Sequence, residues 1–188
     1  MKRYFLIIIL FFVYCFLVSC ASTIQVQPHV SSVSISKMIG DEAGIYISPL
    51  DLSKVHTQSS ILGGEIRVPL GSPLKDCSQE SFSTFFKRVF FTNTNDSKTA
   101  EYIVEVSLSN FNVTGGLDTH LTIMCSISKS GTKIFSGDFQ GSGSGTAAAG
   151  FLGEALAREQ IRKSCEEAFI DAFKKAQTAI KEFISKNN

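Results

Sequence analysis

Tryptophan is absent from this chain, proline occurs four times and histidine three, and 18 basic side chains nearly cancel 17 acidic ones. Each scarcity excludes something. A near-zero balance without clustered Lys or Arg leaves no surface that tracks a phosphate backbone, so nucleic acid is not expected as a partner. The three histidines, His29, His56 and His120, are widely separated and form no H-E-x-x-H or comparable pattern, so each reads as solvated rather than as a base or a metal ligand. Neither a phosphate-binding G-K-[ST] loop nor a G-x-S-x-G nucleophile elbow is present. Cys77 alone invites a catalytic reading, because the first turn of a helix lowers a thiol pKa. No histidine lies near it in sequence, and the position can equally face a core. The expectation is a protein that is not an enzyme and that uses no cofactor or metal.

Long apolar runs are also scarce, with one exception. Lys2 and Arg3 precede an unbroken apolar and aromatic stretch from Tyr4 to Val18. That is the anatomy of a signal peptide. It falls short of the roughly 20 apolar residues a membrane span needs, and Ser19-Cys20-Ala21-Ser22 follows where a span would continue. Leu17-Val18-Ser19-Cys20 resembles the lipobox of bacterial lipoproteins, in which the Cys thiol is acylated before cleavage. The resemblance implies lipidation of Cys20 and a membrane partner through that lipid. Each buried methylene adds about 0.8 kcal/mol of membrane affinity, so two or three chains anchor the protein durably. An ordinary signal peptide cut after Ala21 is the alternative, since Ser19-Cys20-Ala21 also fits a small-x-small site. Ala21, rather than Asp, after the lipidated residue implies delivery to the outer membrane, facing the periplasm.

Removing the first nineteen of 188 residues leaves 169, enough for one domain with a substantial core. The division expected is 1–19 signal peptide, 20–32 lipidated tether interrupted by Pro28, and 33–188 a single α+β domain. Of five cysteines, Cys15 leaves with the signal and Cys20 carries lipid, so Cys77, Cys125 and Cys165 remain. An odd set cannot pair fully within one chain. Cys125 and Cys165 fall on apolar faces and read as small buried hydrophobes, although a disulfide is sterically open to them if those faces meet.

Within the domain, alternation predicts strands at Val33–Ile39, at Gly44–Ser48 and from Glu65 to Leu70, separated by a loop over 50–63. After Gly71-Ser72-Pro73, Asp76 as N-cap and Gln79 as its capping-box partner predict a helix. Its stripe is Phe82, Phe85, Phe86, Val89 and Phe90, read as core, with a lipid-binding face as the alternative. A meander follows. Tyr102, Val104, Val106 and Leu108 share one face, as do Leu121, Ile123, Cys125 and Ile127, and Lys129-Ser130-Gly131-Thr132 links to a strand over Lys133–Gln140. The Gly-Ser run 141–145 reads as a flexible joint or a continued glycine-rich edge. Asn95-Asp96-Ser97 and Asn112-Val113-Thr114 match the glycosylation sequon, which in a bacterial lipoprotein is accidental. A long amphipathic helix from Ala147 or Phe151 to Ser185 ends the chain, with Ile161, Cys165, Ala168, Phe169, Ala172, Phe173, Ala176, Ile180, Phe183 and Ile184 on its apolar stripe. Its far end can protrude as a partner surface.

The fold class expected is α+β: an antiparallel sheet of four to six strands with the Phe-rich helix and the C-terminal helix on one face. The order of lipobox, short tether, helix, central meander and Ala-rich terminal helix resembles small outer-membrane lipoproteins of the YajG type. More loosely it resembles lipoproteins that assist lipopolysaccharide assembly or lipid-transport ABC systems. That resemblance implies a non-enzymatic accessory or adaptor with a protein partner in an envelope complex and a possible homo-oligomer. The alternative is a carrier holding a lipid or glycolipid between sheet and helices.

Overall fold

The computed structural model describes residues 21–35, 38–59, 65–96, 98–146 and 153–187. The signal peptide, Cys20, Ser97 and the expected helix start at Ala147 or Phe151 lie outside the described residues.

The framework is a five-stranded sheet of order β5-β2-β6-β7-β8, made of β2 (Gly40–Ile47), β5 (Phe86–Thr92), β6 (Tyr102–Val113), β7 (Thr119–Lys129) and β8 (Thr132–Gly143). The predicted meander is its larger part. Strands of 12, 11 and 12 residues pair antiparallel, and Leu121, Ile123, Cys125 and Ile127 of β7 are buried on the face that Val104, Val106 and Leu108 of β6 share. The β7–β8 link is a two-residue turn in which Ser130 (φ 47°) and Gly131 (φ 81°) are both left-handed, the backbone whose twist matches that of the flanking strands.

The rest of this sheet is not antiparallel. β2 pairs parallel with β5 on one side and with β6 on the other, so the sheet is mixed, though mostly antiparallel. No strand forms over the described residues of Val33–Ile39, and the strand expected at Gly44–Ser48 is β2, which begins four residues earlier at Gly40. At Gly40 the Tyr102 ring takes the place of a side chain, with Cε2 2.6 Å from where a Cβ would stand.

A second, three-stranded sheet has the order β1-β4-β3, from β1 (Ser22–Thr23), β3 (Val55–Ser59) and β4 (Glu65–Pro69). β4 is as predicted, with Ile66, Val68 and the following Leu70 buried. β3 occupies part of the expected loop. Before it, Pro49–Leu52 forms a single helical turn, α1, capped by Ser48, whose Oγ accepts the Asp51 N–H at 3.1 Å and donates to the Asp51 carboxylate at 2.8 Å.

The helix α2 (Gly71–Phe82) starts five residues before the expected cap and ends where the Phe stripe was to begin. Pro73 sits in its first turn, where a missing N–H goes unnoticed. Phe85 falls in the turn after it and Phe86, Val89 and Phe90 in β5, so the helical reading of that stripe is corrected. Three of the five are core nonetheless: Phe82, Phe85 and Phe86 are fully buried, Val89 packs half-buried against the core, and Phe90 is not part of it. The C-terminal helix α3 (Glu154–Lys186) runs 33 residues with Ile161, Cys165, Ala168, Phe169, Ala172, Phe173, Ala176 and Ile180 buried. It packs along β7 and β8 and meets α2, so both helices cover one face of the sheet. The Gly-Ser run is the continued edge. β8 extends through Gly143, and a Cβ at Gly141 or Gly143 would stand 2.0 Å from the Ala168 carbonyl or 1.9 Å from that of Ser164. These glycines let helix and strand backbones touch.

Candidate functional site at the N-terminal segment

The stretch expected to be a free tether is packed. Two residues after Cys20 the chain enters β1, with Ser22 opposite Ile66 and Thr23 opposite Arg67 in a parallel ladder. The Ile24 N–H continues it to the Arg67 carbonyl at 2.8 Å. The alternating residues Ile24, Val26 and Val30 are buried in the main core, which the sequence shows as a short apolar period-two run interrupted by Pro28. Beyond β1 the segment passes beside both helices, and carboxylates replace a neighbouring strand. Glu166 of α3 accepts the Gln27 N–H at 3.1 Å, and Glu80 of α2 accepts the Val30 N–H at 2.6 Å.

His29 is exposed, as expected, but not free. Its Nδ1 lies 3.0 Å from the second oxygen of Glu80, and this bond, with the Glu80 charge behind it, raises the imidazole pKa. Glu166 is itself held by Arg162 at 2.6 Å, whose guanidinium also spans to Glu159 at 2.7 Å. Between segment and α2 lies an open groove of about 490 Å³, lined by Gln25, Gln27, His29, Asp76, Gln79 and Glu80 among others.

The remaining sequence candidates scatter. Cys77 lies in mid-helix and fully buried; desolvation, then the nearby Glu80 and Asp76 charges, push its thiol pKa far up, the opposite of an activated nucleophile. Burial pushes Cys125 up to about 12 and Cys165 up to about 11. All three thiols are free, and the Cys165 Sγ lies 3.5 Å from the Thr119 hydroxyl. His56 stacks obliquely on Phe111 at 5.0 Å, and burial lowers its pKa. His120 lies on the open face of the sheet in a groove with Asn110, Thr122, Gln140 and Lys175. Among the described residues no group of His, Cys, Asp and Glu could hold a metal ion, and no helix is long and apolar enough to cross a membrane.

No family model matches this chain, and no curated protein does. Among solved structures it is similar to protein XCC0632 from Xanthomonas campestris, of family-model DUF330, over 89% of this chain and 100% of that one. The TM-score is 0.61 at 10% identity, a likeness of fold. Partial likenesses link it to a putative lipoprotein from Caulobacter crescentus (TM-score 0.43, 12% identity, 63% and 85% of the two chains) and to a minor lipoprotein from Acinetobacter baumannii (0.45, 13%, 77% and 93%).

Proposed function

We propose that the mature chain is a lipoprotein, cut before Cys20 and anchored through lipid on that residue, acting as a non-enzymatic accessory or adaptor in bacterial envelope assembly or transport. The observation that carries the reading is the spacing of the lipobox and the fold. Only Ala21 separates Cys20 from β1, whose pairing with β4 fixes where the chain leaves the domain. A lipid at that point holds the domain against the bilayer rather than on a tether about a dozen residues long. Ala21 after the lipidated cysteine favours the outer membrane, with the domain in the periplasm.

An adaptor in this position offers rigid surfaces rather than a reaction centre. The carrier alternative finds less support, because the space between sheet and helices is filled by Phe82, Phe85, Phe86, Phe169 and Phe173, each fully buried. A ligand there would displace side chains worth about 1.5 to 3 kcal/mol of burial apiece. Gentle detergent extraction separates the two readings. Co-purification of a stoichiometric protein partner is the expected result, and a stoichiometric extractable lipid without a protein would overturn the adaptor in favour of the carrier.

A further inference from the structure

The segment from Ala21 to Ser32 is fastened first by backbone and then by side chains. Its ladder to β4 has two residues, Ser22 and Thr23, with one further bond from the Ile24 N–H to the Arg67 carbonyl. β1 is the outermost strand of its sheet. Past Ile24 the Gln27 N–H goes to Glu166 of α3 at 3.1 Å and the Val30 N–H to Glu80 of α2 at 2.6 Å, while Pro28 between them has no N–H to give. Both carboxylates project from helices that the core holds. Water can therefore take the place of either one without moving a helix.

The apolar contacts are spaced as evenly as the bonds. Ile24, Val26, Pro28 and Val30 are buried, and Gln25, Gln27 and His29 between them are exposed. No Lys, Arg, Asp or Glu occurs from Ala21 to Ile35, so a freed stretch is hydrated and carries no fixed charge toward a headgroup. The two ends of the segment differ. Downstream, Val33 and Ile35 pack against the core and pin the chain. Upstream only the short ladder holds it, and that is the end on which Cys20 pulls. A stretch freed between two fixed flanks gains less conformational freedom than a freed end, so opening starts at Ser22.

We propose that this segment is a graded tether, which peels from β4 toward α2 one fastening at a time and so sets how far the domain stands from the bilayer. It rests on the lipid at Cys20 proposed above. With the ladder closed, Ala21 alone spans from anchor to domain. With the ladder and the Ile24 bond open, Ala21 through Val26 are free, a reach of about 20 Å; opening the Gln27 bond extends it to about 30 Å, and opening Val30 frees the chain to Ser32, about 40 Å. No step uncovers more than two buried side chains: Ile24 with Val26, then Pro28, then Val30. The five-stranded sheet keeps its own bonds throughout, because β1 pairs with none of its strands. An adaptor built in this way keeps hold of a partner whose height above the membrane changes.

The test uses the full-length chain matured in cells and extracted in detergent, with its mass read first for lipid on Cys20. A mass without lipid removes the anchor, and the tether with it. Hydrogen exchange on the lipidated chain should show opening in the order Ile24, Gln27, Val30, the last still on the order of 100-fold more frequent than opening in β7. Glu166→Ala should quicken Gln27 and Val30 alike, by about ten-fold, and leave Ile24 unchanged, because Val30 opens only after Gln27. Glu80→Ala should quicken Val30 and neither of the other two. The native thiols Cys77, Cys125 and Cys165 are buried, so a fluorophore can be placed at Lys133→Cys. On liposomes that label should stand farther from headgroup acceptors when Glu80→Ala and Glu166→Ala are combined than in the otherwise native chain. Given a lipidated chain, four results would each overturn the tether: Glu166→Ala quickening Gln27 without Val30, all three amides quickening together, exchange of the three only with β7, or equal distances on liposomes.

Discussion

The N-terminal segment and β8 both lie against α3, and both give backbone N–H groups to its carboxylates, but they differ in how closely they approach it. At β8 glycines at 141 and 143 bring strand and helix backbones together, and the closely spaced groups leave no room for even a methyl. At the N-terminal segment the carboxylate bonds stand without that close approach. Its strand is two residues long, three apolar side chains are buried, and carboxylates of Glu80 and Glu166 receive the backbone N–H groups beyond it. Close packing fails all at once when disturbed, whereas a carboxylate strap loosens by degrees and responds to pH. The end of the domain nearest the proposed lipid is thus the end held by adjustable bonds.

The largest effect that separates the two regions is expected from Gly143→Val. Its Cβ would stand 1.9 Å from the Ser164 carbonyl oxygen, and backbone cannot yield as a side chain can. The loss should exceed the roughly 1 to 3 kcal/mol of ordinary overpacking, read as a fallen urea midpoint for the whole domain. Ile24→Ala should cost less, about 2 kcal/mol, because a terminal segment can collapse into the space left. Glu80→Ala follows at about 1 kcal/mol, since the Val30 N–H loses a charged acceptor. Its signature is local: hydrogen exchange should quicken at Val30 and leave β7 unchanged, and equal acceleration in both would erase the distinction between the regions. Smallest is the pH effect. The folded pKa of His29 is raised, so the His29–Glu80 contribution is complete below the unfolded value near 6.5 and fades as pH climbs through the folded one. Protection at Val30, corrected for intrinsic exchange, should fall between mildly acid and mildly alkaline pH, and His29→Gln should flatten that profile.

The meander was legible because both strands of each pair alternate cleanly between one buried and one wet face, and because the Ser130-Gly131 turn suits its left-handed backbone. The terminal helix was legible for the same reason at its own period. The Phe stripe misled because a helix ending at Phe82 and a strand starting at Phe86 both aim at one core. Their junction mimics a four-residue helical step. Adjacent Lys87 and Arg88, both exposed, and the aromatic and β-branched content of 89–92 were the available signs of a strand. β1 and the first half of β2 were obscured by parallel pairing, whose partners lie some 40 residues away and leave no local turn signal. The packed course of 22–30 was hidden by brevity: Ile24, Val26 and Val30 keep a period of two, but the run is short and Pro28 interrupts it. What sequence did supply for the candidate site is Cys20 itself, while Glu80 and Glu166, which secure the segment behind it, carry no motif.

The proposed anchor at Cys20 is tested most directly by replacing that residue with Ser in the full-length chain and following processing and palmitate incorporation in cells. The native chain should appear as a cleaved, palmitate-labelled protein in the membrane fraction, and Cys20→Ser as an uncleaved precursor without label. Normal cleavage of Cys20→Ser, or a native chain released unlabelled into the soluble fraction, would contradict the lipid anchor and with it the placement of the domain at the bilayer surface.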